Sequence, residues 1–197
     1  MAKILFLYPN KQGHGVTAIW IPSHLAVLKS KGHEVKLFDC TFYENWTVNE
    51  TAFNTNNMMY KPSNYHNYVE FNKNDIRKDL QYKIDNYQPD IIFWSALSSH
   101  IHGEGEYVSI EYGYELLKGI TTNAKKITGG LQPTASSLEM YDKFPDVDYF
   151  ISGESEFVLA DIAESIKFPE RVKKINGVKY KENNSPFRNP RQEIISN

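Results

Sequence analysis

Two apolar runs that each stop at glycine constrain the fold more than any other feature of this chain. The first, Lys126-Ile127-Thr128-Gly129-Gly130-Leu131-Gln132-Pro133-Thr134, reads as a short buried strand ending at a glycine pair, with Pro133 and Thr134 opening a helix toward Tyr141. The second, Val147-Asp148-Tyr149-Phe150-Ile151-Ser152-Gly153-Glu154-Ser155-Glu156, is another short apolar strand. It leads into an amphipathic helix with Leu159, Ile162, Ala163 and Ile166 on one face. A glycine pair lets the backbone turn through positive φ and lets a flat ligand lie against the main chain. Two successive strand-to-helix units with glycine at the strand's carboxyl end predict an open α/β sheet with a ligand site along that edge.

The rest of the chain fits the same alternation. Ile4 to Tyr8 is a continuous apolar run, as a parallel strand covered on both faces requires. Pro9 ends it, and Asn10-Lys11-Gln12-Gly13-His14-Gly15 forms a loop. Pro22 suits the first turn of a helix carrying Leu25, Ala26 and Leu28, and Gly32 suits its C-cap. Glu34 to Phe38 is a second strand. Residues 41–74 then lose all periodicity while holding Trp46, Phe53, Tyr60, Tyr65, Tyr68 and Phe71. This composition is too aromatic for a disordered linker, so the stretch reads as a long insert that packs on the domain or on a partner. Asp75 caps a helix with Ile76, Leu80 and Ile84 in register. Ile91 to Trp94 forms the third strand, and a polar loop from Ser95 to Glu106 precedes a helix over 107–118. Ile175 to Tyr180 reads as a small hairpin strand, and Asn183 to Asn197 as a linker.

Length and charge narrow the class. A chain of 197 residues, 41% hydrophobic, suits one α/β domain with an appendage. The 22 basic and 24 acidic residues form no basic block, which argues against nucleic acid and anionic membranes as partners. The lone Cys40 excludes an internal disulfide and any multi-cysteine cluster held by this chain alone. It fits a reducing cytoplasm and a buried, hydrophobic role. The N-terminal apolar run is too short for a signal peptide or a membrane span.

The predicted architecture is a doubly wound, five-stranded parallel sheet, flavodoxin-like (Rossmann-like), with the long insert after the second strand. Residues 1–170 form the α/β domain, and 171–197 a small hairpin and linker.

On these residues the chain resembles the N-terminal cobalamin-binding domain of cobalamin-dependent radical S-adenosylmethionine enzymes. The resemblance is carried by Tyr8-Pro9, by the Pro22 helix ending Lys31-Gly32-His33-Glu34-Val35, and by Gln88-Pro89-Asp90-Ile91-Ile92. It continues through Thr128 to Thr134, Val147 to Glu156 and Ile175 to Tyr180. The wider cobalamin-binding fold uses a D-x-H-x-x-G loop, then S-x-L, then a glycine pair. Here Ser95-Ala96-Leu97 stands at the second and Gly129-Gly130 at the third.

The first loop departs from that pattern. Aligned on Gly15, Asn10 replaces the aspartate and Gln12 the histidine, so the resemblance implies a corrinoid without a histidine lower ligand, with His14 as the one nearby alternative cobalt ligand. The implied cofactor-binding residues are Asn10, Gln12, Gly15, Ser95, Leu97, Ser98, Gly129, Gly130, Gln132, Thr134, Gly153 and Glu154. Small residues at the edge leave room for the nucleotide tail, while hydroxyls and freed amides can bind its phosphate and amide groups.

The resemblance also implies, for a whole enzyme, a four-iron four-sulfur cluster, S-adenosylmethionine and a radical domain as partner, with methyl transfer the usual chemistry. The C-x-x-x-C-x-x-C motif for the cluster is absent, so this chain is expected to bind cobalamin and to be inactive alone.

Other readings stand beside these. Gly129-Gly130 also suits a plain tight turn, and Glu154 a helix cap. His100, His102, Glu104 and Glu106 alternate like metal ligands but sit in a loop that reads as solvated. His24 and His33 read as surface residues. Asp39 could meet a ribose, yet the G-x-G-x-x-G loop is missing. No nucleophile–base pair is visible, and Gly153-Glu154-Ser155-Glu156 is not a G-x-S-x-G elbow. The alternative function is a flavodoxin-like ligand-binding or protein-interaction module that has lost cobalamin, with the aromatic insert as its contact surface. A nucleotide or nucleotide-sugar enzyme is a third.

Overall fold

The computed structural model of the protein describes residues 1–11, 18, 20–47, 69–96, 110–135 and 138–191. Its centre is a sheet of seven strands in the order β2-β1-β3-β4-β5-β6-β7. The strands are β1 (Lys3–Tyr8), β2 (Glu34–Asp39), β3 (Ile91–Ser95), β4 (Lys125–Gly129), β5 (Tyr149–Ile151), β6 (Val178–Glu182) and β7 (Ser185–Arg188). β1 to β5 are parallel, in the flavodoxin-like order, while β6 and β7 are antiparallel additions at the β5 edge.

The expectation of five strands is therefore corrected to seven. Asn183 and Asn184 both take positive φ (48° and 63°), the conformation a two-residue hairpin turn demands, so part of the presumed linker folds back as β7.

Helices cover both faces because the parallel strands alternate between two apolar surfaces. On one face Leu5, Leu7, Ile92, Trp94 and Phe150 pack with α2 (Ile76–Tyr87), α3 (Ile110–Leu117) and α5 (Met140–Lys143). On the other, Ile4, Phe6, Ile91, Phe93 and Ile127 pack with α1 (Trp20–Ser30), α6 (Ser155–Ser165) and Val172 of α7 (Pro169–Val172). Each fully buried Leu or Ile contributes roughly 1.5–3 kcal/mol relative to exposure.

Local signals explain most boundaries. The Asp75 carboxylate accepts from the Arg77 and Lys78 amides and starts α2. Gly32, with φ +79°, ends α1. Leu159, Ile162 and Ala163 form the buried stripe of α6. In α1 the buried stripe is Trp20, His24 and Leu28; Leu25 is only half-buried and Ala26 is exposed. The single helix expected from Pro133 toward Tyr141 is instead a short α4 (Leu131–Ala135) and the separate α5.

The base of the insert is pinned to the domain. Tyr43 bridges Asn72, with Asn72 N donating to Phe42 O at 2.7 Å and Glu44 N to Asn72 O at 3.0 Å. Tyr43 stacks on Phe38, and Trp46 is buried. Residues 48–68 lie outside the described residues. Among the described residues no helix is long and apolar enough to cross a membrane.

Candidate functional site

In this strand order the direction of winding reverses between β1 and β3, and ligands of open α/β sheets bind outside the carboxyl ends at that reversal. β1 runs out there into Asn10 and Lys11, and β3 into Ser95 and Ala96. Gly129 at the end of β4 lies in register with Ser95, and Ala96 N donates to Gly129 O at 2.8 Å. The fold thus brings Asn10, Ser95, Gly129, Gly130, Thr134, Gly153 and Glu154 to the carboxyl edge of the parallel strands.

Each of these residues has a distinct local job. Asn10 is buried and donates through Nδ2 to Thr41 Oγ1 at 3.2 Å. Thr41 donates its hydroxyl and its amide to Asp39 Oδ1, at 2.6 and 2.9 Å. That carboxylate oxygen organises the β2 exit, which weakens the case for a ribose contact at Asp39. Ser95 and Ala96 are both buried. A Cβ on Gly129 would lie 2.9 Å from Ser155 Cβ, and one on Gly130 would lie 2.9 Å from both Ala96 O and Ser95 Oγ. Gly130 also sits at φ +102°. The glycine pair is therefore a turn and a close-packing device together, with its own chain against both residues.

Gly153 behaves differently. Its φ is +90°, and none of the described residues lies within 4 Å of a Cβ built there. Thr134 links the two loops: its hydroxyl donates to Gly130 O at 2.7 Å and accepts from Gly153 N at 2.8 Å. Glu154 occupies the N-cap position of α6, but its side chain makes no capping hydrogen bond. The carboxylate therefore does not serve as the cap that an acid at a helix start suggests.

Five expected site residues, Gln12, His14, Gly15, Leu97 and Ser98, lie outside the described residues, as do His100, His102, Glu104 and Glu106. Gln132 is placed through its backbone in α4 only. No group of three or more His, Cys, Asp or Glu side chains that could hold a metal occurs among the described residues.

The surface reading of His24 and His33 is corrected, for both are buried. The His24 ring lies 5.1 Å from that of Phe93 in the α1 face of the core. Nδ1 donates to Trp20 O at 2.7 Å, leaving Nε2 to accept from the Ser155 hydroxyl at 2.8 Å. Burial pushes its pKa below 6.5, partly offset by Glu156. His33 Nδ1 accepts from Ala2 N at 3.1 Å, and burial again lowers its pKa. Cys40 is buried with its thiol pKa raised well above normal by desolvation, in keeping with an inert apolar role.

Two clusters escaped sequence reasoning. Lys11 Nζ bonds Glu115 Oε2 at 2.7 Å and lies 4.2 Å over the Trp46 ring and 4.7 Å over the Tyr112 ring. It ties the loop after β1 to the insert and to α3. Lys179 of β6 is fully buried, and its ammonium donates to Pro133 O in α4. Desolvation, with help from Arg188 and Arg191, lowers its pKa to about 8. The alternating pattern of β6 marked Lys179 only as one side of a hairpin strand.

Comparison with known proteins agrees on the fold. No family model matches the chain, and no curated protein matches it. Among solved structures it is similar to TsrM, a radical S-adenosylmethionine methyltransferase from Kitasatospora setae solved with cobalamin and a [4Fe-4S] cluster bound. The TM-score is 0.68 at 16% identity, over 100% of this chain and 30% of that one. It is also similar to OxsB, a cobalamin-dependent S-adenosylmethionine radical enzyme solved with aqua-cobalamin and S-adenosylmethionine bound. There the TM-score is 0.57 at 14% identity, over 98% of this chain and 23% of that one. This chain thus spans less than a third of the length of the proteins it matches. The class defined by the fold is a mostly parallel, Rossmann-like α/β domain, similar in fold to parts of TsrM and OxsB.

The residues present fit a corrinoid in one respect. At the edge, no described residue lies within 4 Å of a Cβ built on Gly153, while Leu131 and Phe157, in the first turns of α4 and α6, are 55% and 40% exposed. Apolar side chains beside open glycine backbone suit a large flat ligand with a polar tail.

Proposed function

We propose that this chain is a cobalamin-binding domain of a cobalamin-dependent radical S-adenosylmethionine enzyme. The observation that carries the reading is the carboxyl edge beside the winding reversal, where Gly153 stands clear of the described residues and Leu131 and Phe157 are exposed in the first turns of α4 and α6. Asn10, Gln12, Gly15, Ser95, Leu97, Ser98, Gly129, Gly130, Gln132, Gly153 and Glu154 would hold the corrinoid, with hydroxyls and backbone amides toward its tail. When bound, cobalamin supplies methyl-group or radical chemistry at its cobalt.

The chain's own part is to bind, orient and shield. Its single cysteine provides no cluster ligand set, so radical chemistry would belong to a further domain holding the iron–sulfur cluster and S-adenosylmethionine. Gln12 in the usual histidine place would leave the corrinoid without a protein imidazole from this position, and methyl transfer is the proposed activity of the whole enzyme.

A competing reading is an interaction module that no longer binds cobalamin. It is favoured by the exposed Phe42, which packs edge-on to Phe71 at the base of the insert.

The purified chain is mixed with hydroxocobalamin, desalted, and its visible spectrum recorded. The proposal expects co-eluting colour with a base-off spectrum, unchanged in His14→Ala. A spectrum that changes in that variant makes His14 the axial group. Colourless protein favours the interaction module.

A further inference from the structure

We propose that Thr134 is a positioning residue that holds the two glycine loops of the site in register, and not a group that touches the ligand; this rests on the cobalamin reading. Its hydroxyl has one proton and two lone pairs. The proton goes to Gly130 O at 2.7 Å, and one lone pair takes the Gly153 N–H at 2.8 Å. Both glycines lie at positive φ, at +102° and +90°. Glycine backbone at such angles has many alternatives, so the loops need an outside constraint.

α4, which carries Thr134, has only five residues and cannot hold itself. It is fixed from below. Pro133 O accepts from the buried Lys179 ammonium and lies 3.5 Å from the Ser152 hydroxyl that donates to it. Gly130 is in turn wedged against Ala96 and Ser95. Thr134 therefore stands on an anchored post and passes that fixed position to Gly153, whose built Cβ meets none of the described residues within 4 Å. Without its hydroxyl, the loops after β4 and β5 lose their only described side-chain link through these glycines.

The test uses the full chain labelled with ¹⁵N. Amide exchange at Gly153 is followed by NMR, and hydroxocobalamin affinity by titration, in wild type, Thr134→Val and Thr134→Ser. Valine keeps the shape and removes the hydroxyl, whereas serine keeps the hydroxyl. Thr134→Val is expected to speed Gly153 exchange about fivefold to tenfold, the worth of one hydrogen bond, and to weaken binding by a similar factor. Thr134→Ser is expected to stay within about twofold of wild type in both.

Weakened binding with unchanged Gly153 exchange overturns the proposal and makes the hydroxyl a direct ligand contact. Faster exchange with unchanged binding overturns it too, as does no change in either. Wild-type protein that takes up no hydroxocobalamin overturns the cobalamin reading and the positioning role with it; the exchange rates then report the hydrogen bond alone. Should Thr134→Val fail to fold by circular dichroism, Thr134→Ala against Thr134→Ser makes the same comparison.

Discussion

Lys179 shows how much one residue can carry in this fold. A fully buried ammonium is costly and persists only where its hydrogen bonds are needed. Its folded pKa, about 8, is below the ordinary 10.5, so between those values the unfolded chain holds the extra proton. Stability contributed at this position therefore rises as pH climbs from 8 toward 10.5, and the desolvation cost is felt in full below 8. Lys179→Met removes that dependence. Urea unfolding at pH 7 and pH 9.5 is expected to show wild type gaining on the variant at the higher pH; parallel behaviour would place the amine in contact with solvent.

His24 carries the complementary lesson about legibility. Trp20, His24 and Leu28 follow helical spacing, so the buried stripe was present in the sequence. Placing the helix start at Pro22 hid Trp20, and with it the reason for the histidine to point inward. Its partner Ser155 lies far along the chain, and no local pattern reveals such a contact.

Among the elements, the strands were the most legible part. Ile4 to Tyr8 and Ile91 to Trp94 are continuous apolar runs because both faces are covered, and the sequence shows such runs directly. β6 and β7 were not legible as part of the sheet. They are short and antiparallel, β7 is exposed along its length, and only Asn183-Asn184 signals the turn between them. The close fit of α3 on the sheet was equally hidden, since it depends on a glycine against a tryptophan from another element. A Cβ on Gly113 would come within 2.5 Å of the buried Trp94 ring. Gly113→Ala is therefore expected to destabilise the fold by about 1–3 kcal/mol despite alanine's better helix propensity. Denaturant unfolding measures this, and a neutral or stabilising result would mean that α3 can slide on the sheet.

At the scale of the whole molecule, the β–α alternation and the glycine ends located the ligand edge, because chain direction alone sends every parallel strand's carboxyl end to one side. The roles within that edge needed three dimensions. Gly129 and Gly130 pack on their own chain, Gly153 stands clear of the other described residues, and Thr134 joins the two loops. A corrinoid is proposed to occupy this edge. The most direct test is hydrogen exchange of the full chain with and without hydroxocobalamin. With a corrinoid at this edge, exchange is expected to slow in the segments following β1, β3, β4 and β5, including Gly130 and Gly153, with α2 and the β6–β7 hairpin unchanged. Exchange that is unaffected by hydroxocobalamin, or slowed only around the insert near Phe42 and Phe71, would contradict it.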